Sequence, residues 1–284
     1  MKKLAGGIAA VIASAVMLTS MVSAEDTADT NDLLVLGDSI ATGYGLEGYI
    51  PGDNTSAAGS FANKLSANYD NTVNLAVDGR TAGELVESLT SDEKTKSSIA
   101  TADTIVFSAG GNEILRPLVA NILAVADATD LKSFGEALAA DKEGKLIADI
   151  QTAVAADQNL RTAADTAVTE IAEALVSISA MNPEADILIL TIYNPFDGIP
   201  GLELISGTSD EILTTINTSI FAAADAINGS NAASVSVIDV ASLFDGKAAI
   251  YTNITSADIH PNAAGHAAFY GLLAEYAPAG ADDA

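Results

Sequence analysis

Five short apolar runs recur along the chain: Leu33–Leu36, Val73–Val77, Thr104–Phe107, Asp186–Leu190 and Val235–Ile238. Runs this short, rich in branched residues and without polar alternation, read as strands buried on both faces. Helical patterns lie between and after them, at Ser60–Ala67, Thr81–Leu89, Ser209–Asn228 and Ala263–Tyr276. Thr81 and Glu84 stand at capping-box spacing, which marks where the second of these helices begins. Strands alternating with helices predict an α/β fold with a mostly parallel sheet covered on both faces. In such sheets ligands bind beyond the carboxyl ends of the strands. The loops after the five runs are therefore where chemistry is expected.

The stretch from Ile114 to about Ala180 is too long for a single crossover. Its Ala, Leu, Asp and Lys content predicts several helices, read as a helical insertion between strands three and four of one domain, 25–284. It serves either as a lid over the site or as a buttress. At the other end of the chain, Lys2 and Lys3 precede an apolar run closed by Val22-Ser23-Ala24. This is the pattern of a bacterial secretory signal over residues 1–24, removed before Glu25, and it predicts a secreted protein. The tail from Ala277 to Ala284 reads as frayed.

Acids outnumber bases 38 to 12, for a formal charge of −26. Such a chain repels nucleic acid and anionic lipid surfaces, so neither is expected as a partner. The alternative reading of the apolar run at the start of the chain is a membrane anchor, but the short positive start and the small-residue cleavage site favour removal, so no stable anchor is expected. Cysteine is absent, which removes disulfides, thiol nucleophiles and zinc–thiolate sites. The two histidines, His260 and His266, are too few for most histidine-based catalytic metal sites.

Several polar residues fall just after predicted strands. Ser39 follows strand one in Gly37-Asp38-Ser39-Ile40; on its own such a serine is an ordinary turn residue or helix cap. Gly79 follows strand two, either in a plain turn or with its N–H free to meet a developing oxyanion. Asn112 follows strand three, as a helix cap or as a neutral donor to the same oxyanion. His260 precedes Pro261, which suits the first turn of a helix and holds the imidazole at a fixed corner. His266, inside the last helical pattern, reads as structural. A serine becomes a useful nucleophile only when a base accepts its proton. Ser39 and His260 supply that pair, and Asp258 stands two residues before the histidine.

In combination these residues resemble the SGNH (GDSL) hydrolase superfamily. Gly37-Asp38-Ser39 matches the first of its four sequence blocks, with Ile40 where the family name has Leu. Asn74–Gly79 matches the second, Gly110-Gly111-Asn112-Glu113 the third with Glu where Asp is usual, and Asp258–Asn262 the last. Leu190–Phe196 also looks like the bacterial lipase/acylhydrolase branch. The resemblance implies a three-layer α/β/α sandwich with a five-stranded, flavodoxin-like sheet. It implies ester hydrolysis with Ser39 as nucleophile, His260 as base, and an oxyanion hole made by the Ser39 N–H, the Gly79 N–H and the Asn112 side chain. It implies no metal and no organic cofactor. One departure stands out: the family's aspartate lies three residues before its histidine, where this chain has Ala257. Either Asp258 orients the imidazole or the site is a serine–histidine dyad.

Tyr193 and Phe196, after strand four, are candidate substrate-binding residues, with loop packing as the alternative. The apolar stretch from Phe196 to Thr208 reads as a loop suited to an acyl chain. The expected substrates are small-molecule or lipid esters, with acylated polysaccharide as the runner-up and a catalytically inactive carbohydrate- or lipid-binding module behind both. A monomer is expected.

Overall fold

The computed structural model describes residues 30–278. The signal read over residues 1–24 and most of the terminal tail lie outside them. Five strands, β1 (Asp32–Leu36), β2 (Asn71–Asn74), β3 (Thr104–Phe107), β4 (Asp186–Leu190) and β5 (Ser234–Ile238), form one sheet in the order β2-β1-β3-β4-β5, with every pairing parallel. The chain adds strands first to one side of β1 and then to the other. The crevice at the carboxyl ends of β1 and β3 is therefore the switch point of the sheet.

Side chains alternate across this sheet. Leu34, Leu36, Ile105, Phe107, Ile187 and Ile189 enter one core cluster, where they meet α3 (Ala82–Ser91), α8 (Gln158–Met181) and α9 (Glu203–Ser230). Leu33, Val35, Val106, Leu188 and Leu190 enter another, against α2 (Phe61–Leu65), α10 (Val240–Phe244) and α12 (Ala263–Leu273). Period-two alternation with both faces buried gives the three-layer sandwich. The other helices are α1 (Ser39–Thr42), α4 (Glu93–Thr101), α5 (Gly111–Val125), α6 (Leu131–Ala140), α7 (Lys145–Ala156) and α11 (Ala248–Tyr251). Between β3 and β4 run α5 to α8, and the first three pack around a third apolar cluster that includes Leu118, Ile122, Phe134 and Ile150. No helix among the described residues is long and apolar enough to cross a membrane.

The structure departs most from the sequence reading at β2, at α9 and at α4. β2 lies at Asn71–Asn74, not Val73–Val77. Beyond it Leu75 and Val77 still donate to the carbonyls of Val35 and Gly37, but the Asn54 amide captures the carbonyls of Asn74 and Ala76 and ends the strand. α9 starts at Glu203, so part of the stretch read as an apolar loop is helical; Leu202 and Ile205 bury in the third cluster and start the helix despite the low propensity of Ser206-Gly207-Thr208-Ser209. α4 was not anticipated, because it is almost wholly polar. Asp92 caps it through Lys94 and Thr95, and Ile99 is its one fully buried aliphatic anchor.

His266 sits in α12 with no exposed surface. Its Nδ1 accepts the Phe61 N–H at 3.2 Å, while Nε2 has no partner among the described residues. Burial depresses its pKa from 6.5 to about 3. Between those values the unfolded chain takes a proton that the native state refuses, so stability falls as pH falls, by about 2 kcal/mol at pH 5. Asp38 acts in the opposite sense. Burial raises its pKa from 3.8 to about 6, so the native state binds a proton first and gains about 1.4 kcal/mol at pH 5. His266→Gln removes the first contribution and leaves the second. Urea unfolding of this variant at pH 7 and pH 5 should reveal a stability that rises on acidification relative to the parent. An unchanged pH difference would refute the assignment.

Candidate active site

β1 ends at Leu36, and Asp38 caps the single turn of α1 by accepting the Ile40 N–H at 3.0 Å. That cap starts the turn at Ser39 and places its hydroxyl at the carboxyl edge of the sheet. The loop before α12 arrives from the far end of the sequence. Ser39 Oγ lies 2.9 Å from His260 Nε2. His260 Nδ1 lies 2.5 Å from Asp258 Oδ1, which also accepts the His260 N–H at 3.0 Å. With Nδ1 as donor to the carboxylate, Nε2 is the ring's acceptor toward the serine.

The one-residue shift of the aspartate has a local cause. Ala257, at the position where an aspartate was expected, has φ 63°, in the left-handed region that L-residues other than glycine enter at a cost. This turn brings Asp258 under the imidazole two residues later. Asn253 ties the loop at both ends: its carbonyl accepts the Asp258 N–H, and its N–H donates to the His260 carbonyl. Burial alone would raise the Asp258 pKa, but hydrogen bonds from the His260 side chain and backbone, helped by Asn253, hold it below the ordinary aspartate value.

Gly79 occupies the third position of the turn Val77–Arg80, closed by the Arg80 N–H on the Val77 carbonyl at 3.0 Å. Its φ of 72° is the reason for glycine there. The N–H groups of Ser39 and Gly79 have no acceptor among the described residues and remain available to a ligand. Asn112 is not a cap, since Gly110 occupies that position and Asn112 lies in the first turn of α5. Its amide nitrogen donates to the Arg80 carbonyl at 3.0 Å and, at a longer 3.3 Å, to Asp38. Glu113 accepts the Ala82 N–H and so fastens the start of α3 to α5.

Ser39, Gly79, Asn112, Asp258 and His260 all line one cleft of about 510 Å³. The two aromatic candidates separate. Tyr193 borders the cleft, but its ring packs against Phe244 and its hydroxyl donates to the Ile259 carbonyl at 2.9 Å, bracing the histidine loop. Burial pushes its phenol pKa well above the ordinary value, so it stays a neutral donor. Phe196 is 1% exposed, sits in the third core cluster and does not line the cleft, so the structure gives it packing in place of the expected substrate contact.

The apolar wall comes instead from Leu115, Val119 and Leu123 of α5, with Leu131 of α6 and Ile192. Their spacing of four along α5 puts the first three on one stripe, a signal present in the sequence. Tyr44 covers the imidazole with ring centroids 4.5 Å apart. Asp78 accepts Thr42 Oγ1 at 2.6 Å and the Tyr49 hydroxyl, which fixes the other rim.

The family described as GDSL-like Lipase/Acylhydrolase matches residues 35–268. No curated protein matches the chain. Among solved structures, a lipase from a goat rumen metagenome is similar over 89% of this chain and 99% of its own, at 20% identity and a TM-score of 0.57. A phospholipase A1 from Streptomyces albidoflavus is similar over 88% of this chain and 100% of its own, at 14% identity and a TM-score of 0.56. An extracellular lipase from Streptomyces rimosus is similar over 87% of this chain and 100% of its own, at 19% identity and a TM-score of 0.50. At these identities the likeness is one of fold.

Proposed function

Because the chain belongs to the GDSL-like lipase/acylhydrolase family, we propose that it is a serine esterase that cleaves carboxylic esters through an acyl-enzyme on Ser39. The observation that carries this reading is the unbroken chain from Ser39 Oγ to His260 to Asp258. His260 Nε2 takes the hydroxyl proton as Oγ attacks the ester carbonyl. The carbonyl oxygen becomes an oxyanion and meets the free N–H groups of Ser39 and Gly79 and the Asn112 amide. The intermediate collapses, the C–O bond to the leaving alcohol breaks, and His260 returns the proton to that alcohol. Water, deprotonated by the same imidazole, then attacks the acyl-enzyme, and the acid departs as Ser39 recovers its proton. Asp258 stabilises the imidazolium formed in both halves.

The aliphatic wall on α5 supports an acyl chain longer than acetyl, which favours lipid-like esters over acetylated polysaccharide. Secretion is part of the reading on the strength of the residue pattern over 1–24, and it is in keeping with the extracellular origin of the Streptomyces rimosus lipase.

A fluorophosphonate probe, with peptide mass spectrometry of the adduct, tests the assignment. The expected result is one adduct on the peptide containing Ser39, absent from Ser39→Ala. A folded protein that takes no adduct would refute the esterase reading and favour a binding module.

A further inference from the structure

We propose that Arg116 makes this cleft selective for acyl esters that bear an anionic group, phosphate or carboxylate, next to the scissile bond; the inference rests on the esterase reading above. Arg116 is the only lysine or arginine among the residues lining the cleft. Its guanidinium lies against Gly79, so close that a β-carbon there would collide with it. Gly79 carries one of the two N–H groups assigned to the ester oxygen. The cation therefore stands beside the reacting carbonyl, not out at the rim.

The charges around it are already engaged. Asp38 accepts from Ile40 and Asn112, Asp78 from Thr42 and Tyr49, and Asp258 from His260. No hydrogen bond or ion pair engages the Arg116 guanidinium among the described residues. The cleft thus holds three carboxylates that already accept hydrogen bonds and one cation that donates none, and that cation is the charged group left to turn to a ligand. A planar guanidinium matches phosphate and carboxylate with paired hydrogen bonds. The net charge of the chain repels an approaching anion, but salt at physiological strength screens that field beyond about 8 Å, and the contact with Arg116 acts inside that range.

The same helix supplies the other half of the ligand. Leu115 precedes Arg116, and successive residues diverge by about 100° around a helix, so the apolar stripe and the cation face different parts of one substrate. From Leu115 to Leu123 the stripe runs about 12 Å. An extended acyl chain with carbon–carbon bonds of about 1.5 Å covers that length in roughly ten carbons. Tail, ester and anion together describe an anionic amphiphile.

Three substrates that differ only in the head test this: 1-decanoylglycerol, its 3-phosphate, and the decanoyl ester of glycerate. The parent protein should turn over at least one anionic ester with kcat/KM about tenfold above the neutral one. The larger of the two ratios identifies phosphate or carboxylate as the group recognised. Arg116→Gln should bring that ratio to about one or below, and Arg116→Lys should keep part of it, with thermal unfolding confirming that both variants fold. A parent that prefers the neutral ester, or a ratio that survives in Arg116→Gln, overturns the inference. If Ser39 is labelled by fluorophosphonate and the neutral ester is cleaved without any anionic preference, the inference alone falls. If there is neither label nor turnover, the esterase reading beneath it falls.

Discussion

Ser39→Ala is expected to lower turnover of a short 4-nitrophenyl ester by at least about 10⁴-fold, with His260→Ala close to the same loss. In the proposed mechanism the two residues act on one proton. Ser39 Oγ and His260 Nε2 are 2.9 Å apart, and neither group does its part of the chemistry once the other is gone. The double variant should therefore be no worse than either single one, because what remains is binding and oxyanion stabilisation by the backbone N–H groups of residues 39 and 79 and by Asn112. Ser39 is the only serine, threonine or lysine lining the cleft. Initial rates on purified single and double variants check this. Residual activity near one per cent of the parent, or losses that multiply in the double variant, would mean that the hydroxyl and imidazole do not form one catalytic unit.

Much of this site was legible because its residues fall at strand ends that the sequence marks clearly. β3 and β4 are uninterrupted apolar runs, and the structure has them at the boundaries read from the sequence. Ser39 and His260 then follow from local context, as a turn after β1 and a proline-fixed corner before α12. β2 was harder to bound, because it is an edge strand whose limit is set by Asn54, a residue about twenty positions away. The apolar lining of the cleft was misplaced for a related reason. Phe196, Leu202 and Ile205 look available in a linear reading, yet the helices between β3 and β4 need them to close the third cluster. That leaves Leu115, Val119 and Leu123 to face the cleft. Arg116 carries no local signal at all. Its place beside Gly79 arises only when α5 packs against the turn after β2, a contact between residues with no periodic relation in the sequence.

Asp258→Ala is expected to cost activity heavily but to fall short of Ser39→Ala by about 100-fold, since loss of the orienting carboxylate weakens a triad without removing nucleophile or base. The carboxylate performs two tasks here. It fixes the ring by accepting from both Nδ1 and the backbone N–H of His260, and in the proposed mechanism it offsets the positive charge the ring acquires when it takes the serine proton. Asp258→Asn separates the tasks. Its amide is nearly the same shape, but an NH₂ facing Nδ1 forces the ring proton onto Nε2, where it blocks acceptance from Ser39. The asparagine variant should consequently be as slow as the alanine variant or slower, despite the smaller change in structure. Burial would raise the Asp258 pKa, but hydrogen bonding from His260 keeps it below the ordinary aspartate value, so the carboxylate is ionised across pH 5 to 9 and no loss of activity in that range arises from its own titration. Rates for the two variants on one neutral ester, measured across pH 5 to 9, decide the matter. An alanine variant as active as the parent would make the site a dyad, with the left-handed turn at Ala257 and the Asn253 bonds alone holding the imidazole. An asparagine variant much faster than alanine would show that position matters more than charge.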